Sequence, residues 1–429
     1  MSFRDLKFLV PLAAVLAGAL LVFDRVVFHA IEMDVVSLTL LAMTLVFGAA
    51  AFSSRWRFRF RWVALIVAVL SGVVLLCLAV LCVANWPMRE DKPELWLKGP
   101  EIDAEEQVAW RVLLPNDPAI LASMERAVPH ADLLSGEYGE EATRELARVE
   151  PVVEAFWDSM ASSSHSPELA TEYESGDRLP HLIELRHCVQ VEVASIMVLA
   201  EEDLENAVER STRLVRAIRR GLNGEQSLIG LMVLAACGDL AGQALFKCII
   251  KTEEGAPESA LLELMEISKS FSHIPLKGFE SELVFFETEL WKASTTRTGA
   301  WPFFSAYETL ELFQMRFSRI SQASSLSEMQ QIGEEPVRFG LRNPAGIQLA
   351  PIGGAMWRAA GRTSIYEARS LAWLQMLGVR VDQVNPVTGL PFPEETEGRI
   401  DLLEGVDAET RLNLEKGYWS DIFIVKREG

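Results

Sequence analysis

Apolar residues gather in three charge-free runs near the start of the chain, and further along they recur with helical spacing. The longest run, Val63 to Ala84, has 22 residues, of which only Ser71 and Gly72 are not apolar. At about 1.5 Å per residue it reaches roughly 33 Å, enough to cross a bilayer. Val35 to Phe52 is a second run, broken only by Ser37, Thr39, Thr44 and Gly48, and spans about 27 Å. Phe8 to Phe23 is shorter and carries Pro11 near its start, behind Arg4 and Lys7. Ala17-Gly18-Ala19 could serve a signal peptidase, but two more apolar runs follow at once, so the expectation is an uncleaved first span. Residues 1–85 thus read as a membrane anchor of three transmembrane helices.

Residues 86–137 hold Pro87, Pro93, Pro100, Pro115, Pro118 and Pro129 and read as a linker or lid with short elements. From Tyr138 the pattern is helical. It predicts helices over Glu140–Met160, Pro180–Glu201, Leu204–Leu222, Glu225–Lys251, Pro257–Ser270, Leu276–Ala293, Ala306–Ser321 and Met356–Leu377. Breaks are expected at Asn223-Gly224, Gly255-Ala256-Pro257 and Ile274-Pro275. Short joints between helices make antiparallel hairpins.

In Leu276–Ala293, Phe279, Leu283, Phe286 and Leu290 share one face. Leu228–Ile250 is almost wholly apolar apart from Asp239, Gln243 and Lys247, spaced by four. A charged stripe suits a central core helix better than a fourth span. Leu182–Leu222 resembles a tetratricopeptide-type helix pair turning over Ala200–Ala207, yet no Trp-x-x-Leu-Gly precedes it and no clean 34-residue period follows. The fold class is therefore mostly α: three membrane helices, then an α-helical hairpin bundle or irregular TPR-like solenoid over 138–333. Residues 334–429 read as an irregular connection, a last helix and a small C-terminal turn and hairpin. There, Asn385 to Pro393 is rich in turn residues and Ile422–Val425 forms a short strand.

Charge separates the two parts. The chain carries a formal charge of -20, which divides into +3 over residues 1–85 and -23 over the rest. Arg55, Arg57, Arg59 and Arg61 alternate with Trp56, Phe58 and Phe60 in the connection Ser53–Trp62, while Asp24–Asp34 has one Arg and three acids. Basic short loops stay cytoplasmic, so the arginine loop and the N-terminus are placed inside. Three spans then put everything after Trp86 outside, in the periplasm of a two-membrane envelope. The bilayer is the first partner, with the arginines at lipid headgroups. A strongly acidic body excludes nucleic acid, whose phosphates it would repel. Cys188, Cys237 and Cys248 are the body's cysteines; Cys237 and Cys248 share a helix about 16 Å apart, too far to bridge, and buried free thiols are expected.

Candidate chemistry is sparse. His181-x-x-Glu184-x-x-His187 groups ligand-type residues, and Glu184 with His187 forms the Glu-x-x-His unit of di-iron bundles. No second copy exists, and Glu192, Glu282 or Glu289 would have to complete it through folding, so no metal and no cofactor is expected. Glu280/Glu287 and Glu282/Glu289 flank an apolar face and could act as acid and base only if two met in a cleft. Asp239, on an apolar helix, needs a partner, and Arg213, Arg216, Arg219 and Arg220 stand close in sequence. There is no Gly-x-Ser-x-Gly, His-Glu-x-x-His, Walker loop or Gly-x-Gly-x-x-Gly, so no catalytic residue is assigned. Trp291, Trp301, Phe303, Phe304 and Tyr307 surround Ser294–Gly299 and either line a groove or pack between two helices.

Three further pieces carry a resemblance: Asn343-Pro344-Ala345-Gly346, Tyr366-Glu367-Ala368-Arg369-Ser370-Leu371-Ala372, and Asn385-Pro386-Val387-Thr388-Gly389-Leu390-Pro391. With the helical pattern from about Ala142 to Phe392, they resemble a family of membrane-anchored α-helical bacterial envelope proteins. The resemblance implies an anchor, a helical middle, an Asn-Pro-x-Gly segment, one more helix and an Asp-Pro-x-x-Gly-x-Pro turn before a small hairpin. It implies an architecture and brings no activity with it. This chain departs in having Asn385 where the family has Asp, and in ending on Trp419–Gly429 without a Gly/Asp-rich tail. The function expected is an extracytoplasmic scaffold binding another envelope protein. The alternatives are an envelope hydrolase using Glu184, His187, Glu282 and Glu289, and an accessory subunit of a transport or secretion complex.

Overall fold

The computed structural model describes residues 58–84, 108–109, 114–115, 117–127, 133–162, 165–166, 180–224, 227–252, 255–295, 306–336, 344–418 and 420–427. Over these the chain is mostly helical. Its elements are α1 (Phe58–Ala84), β1 (Val108–Ala109), α2 (Pro118–Ala127), α3 (Glu140–Ser162), β2 (His165–Ser166), α4 (Pro180–Glu202) and α5 (Leu204–Gly224). They continue with α6 (Leu228–Ile250), α7 (Glu258–Thr295), α8 (Ala306–Gln322), α9 (Leu326–Glu334), α10 (Pro344–Met376), β3 (Arg399–Asp401), α11 (Ala408–Gly417) and β4 (Ile424–Lys426). The chain divides into two compact units. One comprises Met1–Trp96, Phe286–Phe313 and Pro336–Pro351; the other comprises Leu97–Phe285, Gln314–Glu335 and Ile352–Gly429.

Of the three expected membrane helices, Phe8–Phe23 and Val35–Phe52 lie outside the described residues. The third, Val63–Ala84, lies within α1, a helix of 27 residues. The expected loop Ser53–Trp62 is corrected in part: α1 starts at Phe58, so Arg59 and Arg61 stand in its first turn, and Arg55 and Arg57 lie outside the described residues. Arg and aromatic residues tolerate a helix, and no Gly or Pro separates them from Val63. Among the residues whose side chains are described, one helix, α6, is long and apolar enough to cross a membrane; α1 contributes the shorter apolar stretch Leu65–Val74.

In the larger unit, consecutive helices α3, α4, α5 and α6 pack against one another. The α4–α5 joint is a single residue, Asp203, and the helix bounds fall within two residues of those expected. At the next break Ser227 caps α6 by accepting a hydrogen bond from the Gly230 amide at 3.0 Å, satisfying one of the donors a helix start leaves over. Gly255 turns the chain with φ of +89°. Helix α6 is the core helix its pattern predicts, with Leu231, Leu234, Ala241, Leu245 and Cys248 buried. Two glycines a turn apart let larger groups approach it. A Cβ on Gly238 would lie 2.9 Å from Ile267, and one on Gly242 would lie 2.7 Å from Trp373.

Three expectations fail, and at two of them, Pro275 and α2, a buried face outweighs local breakers. Pro275 does not end a helix: α7 runs unbroken from Glu258 to Thr295. A proline removes one helical hydrogen bond and costs about 3 kcal/mol, but Phe271, Ile274 and Phe279 are buried on both sides of it and keep one face continuous. The irregular connection expected before Met356 is helical from Pro344, a residue suited to a first turn. In the segment read as a linker, α2 packs against α3 and buries Met124 and Ala127. Helices α9 and α11 were not anticipated.

The C-terminal expectation is met in part: the strand expected over Ile422–Val425 starts at Ile424, after a tight turn over Ser420–Phe423, and α11 separates it from its partner strand where a hairpin turn was expected. Strands β3 and β4 pair antiparallel, with Ile400 opposite Val425. The turn from Asn385 is held by that residue itself, which is 1% exposed. Its Oδ1 accepts from the Val387 amide at 2.9 Å, its Nδ2 donates to the Leu402 carbonyl at 2.8 Å, and its backbone N–H donates to the Leu390 carbonyl at 2.8 Å. The Leu326 amide donates to the Val387 carbonyl at 3.0 Å, tying the turn to the start of α9. An aspartate would face the Leu402 carbonyl with an acceptor. Asn385→Asp is therefore expected to destabilise the body by about 1–3 kcal/mol at neutral pH, read as a lower urea midpoint, with part of the loss recovered at acid pH as the carboxyl protonates and regains a donor.

Candidate functional site: buried polar clusters of the helical body

Helix α5 presents arginines at Arg210, Arg213, Arg216 and Arg219, and a step of three drifts slowly around a helix. Its neighbours receive them in turn. Arg210 makes a two-pronged contact with Glu192 of α4, Nε to Oε1 at 2.7 Å and Nη2 to Oε2 at 2.9 Å, and reaches Glu150 of α3 at 2.6 Å. Arg213 pairs with Glu154 at 3.3 Å and Asp158 at 2.8 Å, both on α3. Arg216 and Arg219 grip the two oxygens of Glu263 on α7, at 2.7 and 3.0 Å. Glu192 and Glu263 are buried. The guanidinium of Arg210 is held firmly charged: burial opposes the charge, but the hydrogen bonds it donates to the Glu192 and Glu150 carboxylates outweigh that burial.

A second cluster lies between α6 and α10. Asp239 is buried, and loss of water pushes its carboxyl up, opposed by Arg369. Arg369 Nε stands 3.1 Å from Asp239 Oδ1, yet the N–H does not point at that oxygen and neither atom has an aligned hydrogen bond. The Arg369 guanidinium also donates to Gln243 at 3.2 Å and lies over the Trp373 ring, 5.7 Å from its centroid. Burial and the nearby Asp239 push the Tyr366 hydroxyl up to about 12. Lys247 donates to the Leu134 carbonyl at 3.3 Å. All three residues of the α6 polar stripe are thus engaged. The expected partner of Asp239 is corrected: α5 commits Arg213, Arg216 and Arg219 to α3 and α7, and Arg369 of α10 serves instead.

Glu184 and His187 lie half-buried on α4. Burial lowers the His187 imidazole's affinity for its proton, and Glu125, Arg186 and Glu184 are the charges acting on it. Glu282, half-buried on α7, is pushed up by burial with only the Leu228 amide opposing. Glu282 thus answers to the start of α6, and His187 to Glu125 of α2 and its own helix neighbours. Glu289 stands in α7 with its side chain outside the described residues. Among the described residues no group of three His, Cys, Asp or Glu is placed to hold a metal ion. Glu280 is exposed and Glu287 half-buried. Of the aromatic group, Trp291 and Tyr307 stand in α7 and α8, and the stretch with Trp301, Phe303 and Phe304 lies outside the described residues. Phe286 of α7 packs on Phe313 of α8, ring centroids 5.1 Å apart. Cys188, Cys237 and Cys248 are free and buried, and burial raises each thiol, Cys237 to about 12.

Sequence reasoning missed the arginine series, although its signal was present: Glu150, Glu154 and Asp158 repeat every four residues on α3 as Arg210 and Arg213 do at three on α5. Chemically these clusters hold charge in place. Each buried carboxylate among them faces a guanidinium, and such pairs fix how helices meet. No protein-family model, no curated protein and no solved structure matches this chain.

Replacing Arg210 by Met strands Glu192 in the core, and a broken buried pair costs about 3–5 kcal/mol. Arg210→Met is expected to lower the chemical denaturation midpoint by that amount, and the double variant Arg210→Met with Glu192→Leu to regain most of it. A further prediction concerns Glu367, half-buried on α10, whose carboxyl is pushed up to about 7 by loss of water. The unfolded chain releases this proton near 4.5, so between that pH and about 7 the folded state holds the extra proton. Raising the pH across this window lowers stability, on the order of 2 kcal/mol for a partly exposed group. Glu367→Gln should flatten the slope in denaturation curves taken at pH 5 and pH 8, and should be the more stable protein at pH 8.

Proposed function

We propose that this protein is a membrane-anchored scaffold of the bacterial envelope: a three-span anchor over residues 1–85 holds an acidic helical body outside the cytoplasmic membrane, where its surface binds another envelope protein. The observation that carries the membrane reading is how α1 distributes its side chains. Ile66, Leu70, Val73, Val74 and Leu76 are exposed, Leu70 by 61%, while Ala68, Ser71 and Gly72 are covered. Water selects the opposite arrangement. Lipid accepts large apolar groups on the outside and lets helices meet through small ones. The Ser71 hydroxyl donates to the Val67 carbonyl at 2.8 Å, which keeps its donor satisfied without water.

Arg55, Arg57, Arg59 and Arg61 support the orientation, with the basic end of α1 inside. The partner reading rests on the body. Its buried charges are committed to structure, and Ile183, Ile229, Leu262 and Leu412, each on a different helix, expose more than half of their surface. The resemblance to membrane-anchored envelope proteins agrees with this placement.

Alkaline phosphatase fused after Trp86 should be active in cells and the same enzyme fused after Phe52 inactive, and the full chain should stay in the membrane pellet after carbonate extraction. Activity in the reverse order would overturn the orientation, and release by carbonate would overturn the anchor. Crosslinking of the membrane-bound chain should trap one discrete envelope protein, and the yield should drop when Leu262 is replaced by Glu.

A further inference from the structure

Most arginines described in the larger unit are spent on carboxylates, but a pair on α10 is not. Arg358, Arg362, Tyr366 and Arg369 follow one another at spacings of four, four and three, so all four lie on one face of that helix. The deep end of this stripe is occupied, with Arg369 serving Asp239 and Gln243. At the outer end Arg358 and Arg362 are exposed, and among the described residues neither meets a carboxylate and the Tyr366 hydroxyl meets no hydrogen-bond partner. We infer that this outer end, formed by Arg358, Arg362 and Tyr366, binds a phosphate group.

Residues four apart on a helix hold their Cβ atoms about 6 Å apart, so two guanidiniums there can close on one group of phosphate size. A phosphate monoester carries a charge of about −1.5 to −2 at neutral pH, which two arginines match. Its three free oxygens also offer each guanidinium a pair of acceptors, whereas a carboxylate fills a single fork. The donors are held in advance. The Arg358 guanidinium lies over the Trp357 ring, 5.6 Å from its centroid, a stacking that leaves its N–H edge free. Trp357 is buried and meets the edge of Tyr418, ring centroids 6.1 Å apart, and Gly361, between the two arginines, gives the Tyr418 hydroxyl room against α10. Phe271 braces the Tyr366 ring at 5.9 Å. Burial and the charge of Asp239 keep the Tyr366 hydroxyl protonated up to about 12, so it donates at neutral pH. Asp239, the acid nearest this stripe on α6, is offset by Arg369. The inference needs neither the anchor nor the scaffold reading.

The test titrates inorganic phosphate into the full chain in a non-ionic detergent at constant ionic strength and follows the phosphorus NMR line width. The wild-type chain should broaden the signal saturably. Arg358→Gln combined with Arg362→Gln should weaken binding by about tenfold or more, and Tyr366→Phe by about threefold, as charge-assisted contacts are lost. Arg399→Gln, which removes an exposed arginine of β3, should bind as the wild type does. The exposed arginines can be replaced without changing the thermal melting curve, which serves as the control for folding. A second arm places the chain in phosphatidylcholine vesicles containing phosphatidic acid. A change in the phosphatidic acid signal that the double variant loses assigns the phosphate to a lipid headgroup; an unchanged lipid signal beside a response to inorganic phosphate assigns it to a soluble phosphate ester. Lack of saturable broadening by the wild-type chain, or equal binding by the double variant, would overturn the inference.

Discussion

A guanidinium brought out of water must find carboxylates, and in the helical body that requirement determines which helices meet. Arg210 draws Glu192 from α4 and Glu150 from α3 onto α5, and Arg216 and Arg219 bring in Glu263 from α7. An apolar side chain of the same size would bury as well and would accept many neighbours. A fork of donors accepts few, so the ion pairs restrict rotation and register of α5 more than they add stability. The face of α5 turned to α6 is apolar, with Leu214, Val215 and Ile218 buried, and supplies the non-directional part of the packing.

The same logic explains why composition alone gives an incomplete account of α6. That helix is apolar enough to lie in a membrane, because a protein core and a bilayer both select against charge. What distinguishes them is which residues face outward. Helix α6 buries most of its large side chains, Leu231, Leu234, Leu245 and Phe246 among them, and admits Trp373, Ile267 and Phe271 against its glycines; α1 exposes Leu70 and Ile66 and covers Ala68. Asp239 adds a second distinction. In α6 it is matched by Arg369 from α10, a partner available only inside the folded body.

Helix existence was legible in the sequence wherever a polar cap followed a turn residue. Ser227 after Asn223-Gly224 and the glycine at Gly255 are local signals, and the ends of α5, α6 and α7 fall there. Where tertiary burial overrides a local breaker, as at Pro275, no signal within a few residues carries the answer. Partner choice is harder still. The arginines nearest Asp239 in sequence serve other helices, and its actual partner lies 130 residues along the chain. Glu184 and His187 were legible as a pair on one helix, but a site needs groups from several elements, and only the fold reveals that Glu282 has other neighbours.

Charge placement links the body to the membrane argument. An anionic leaflet repels acids only within about a Debye length, 8–10 Å at physiological salt. Most acids of the body lie in the larger unit, some consumed in pairs with Arg210, Arg213, Arg216 and Arg219 and others, such as Glu201 and Glu202 at the α4–α5 joint, exposed. Segments with balanced charge and many aromatic residues feel little of that repulsion. The separation of charge seen in the sequence as +3 and -23 thus continues beyond residue 85: Phe286–Phe313 and Pro336–Pro351, grouped with Met1–Trp96, carry four bases against four acids, so the excess of acid falls in the unit built around α5 and α6.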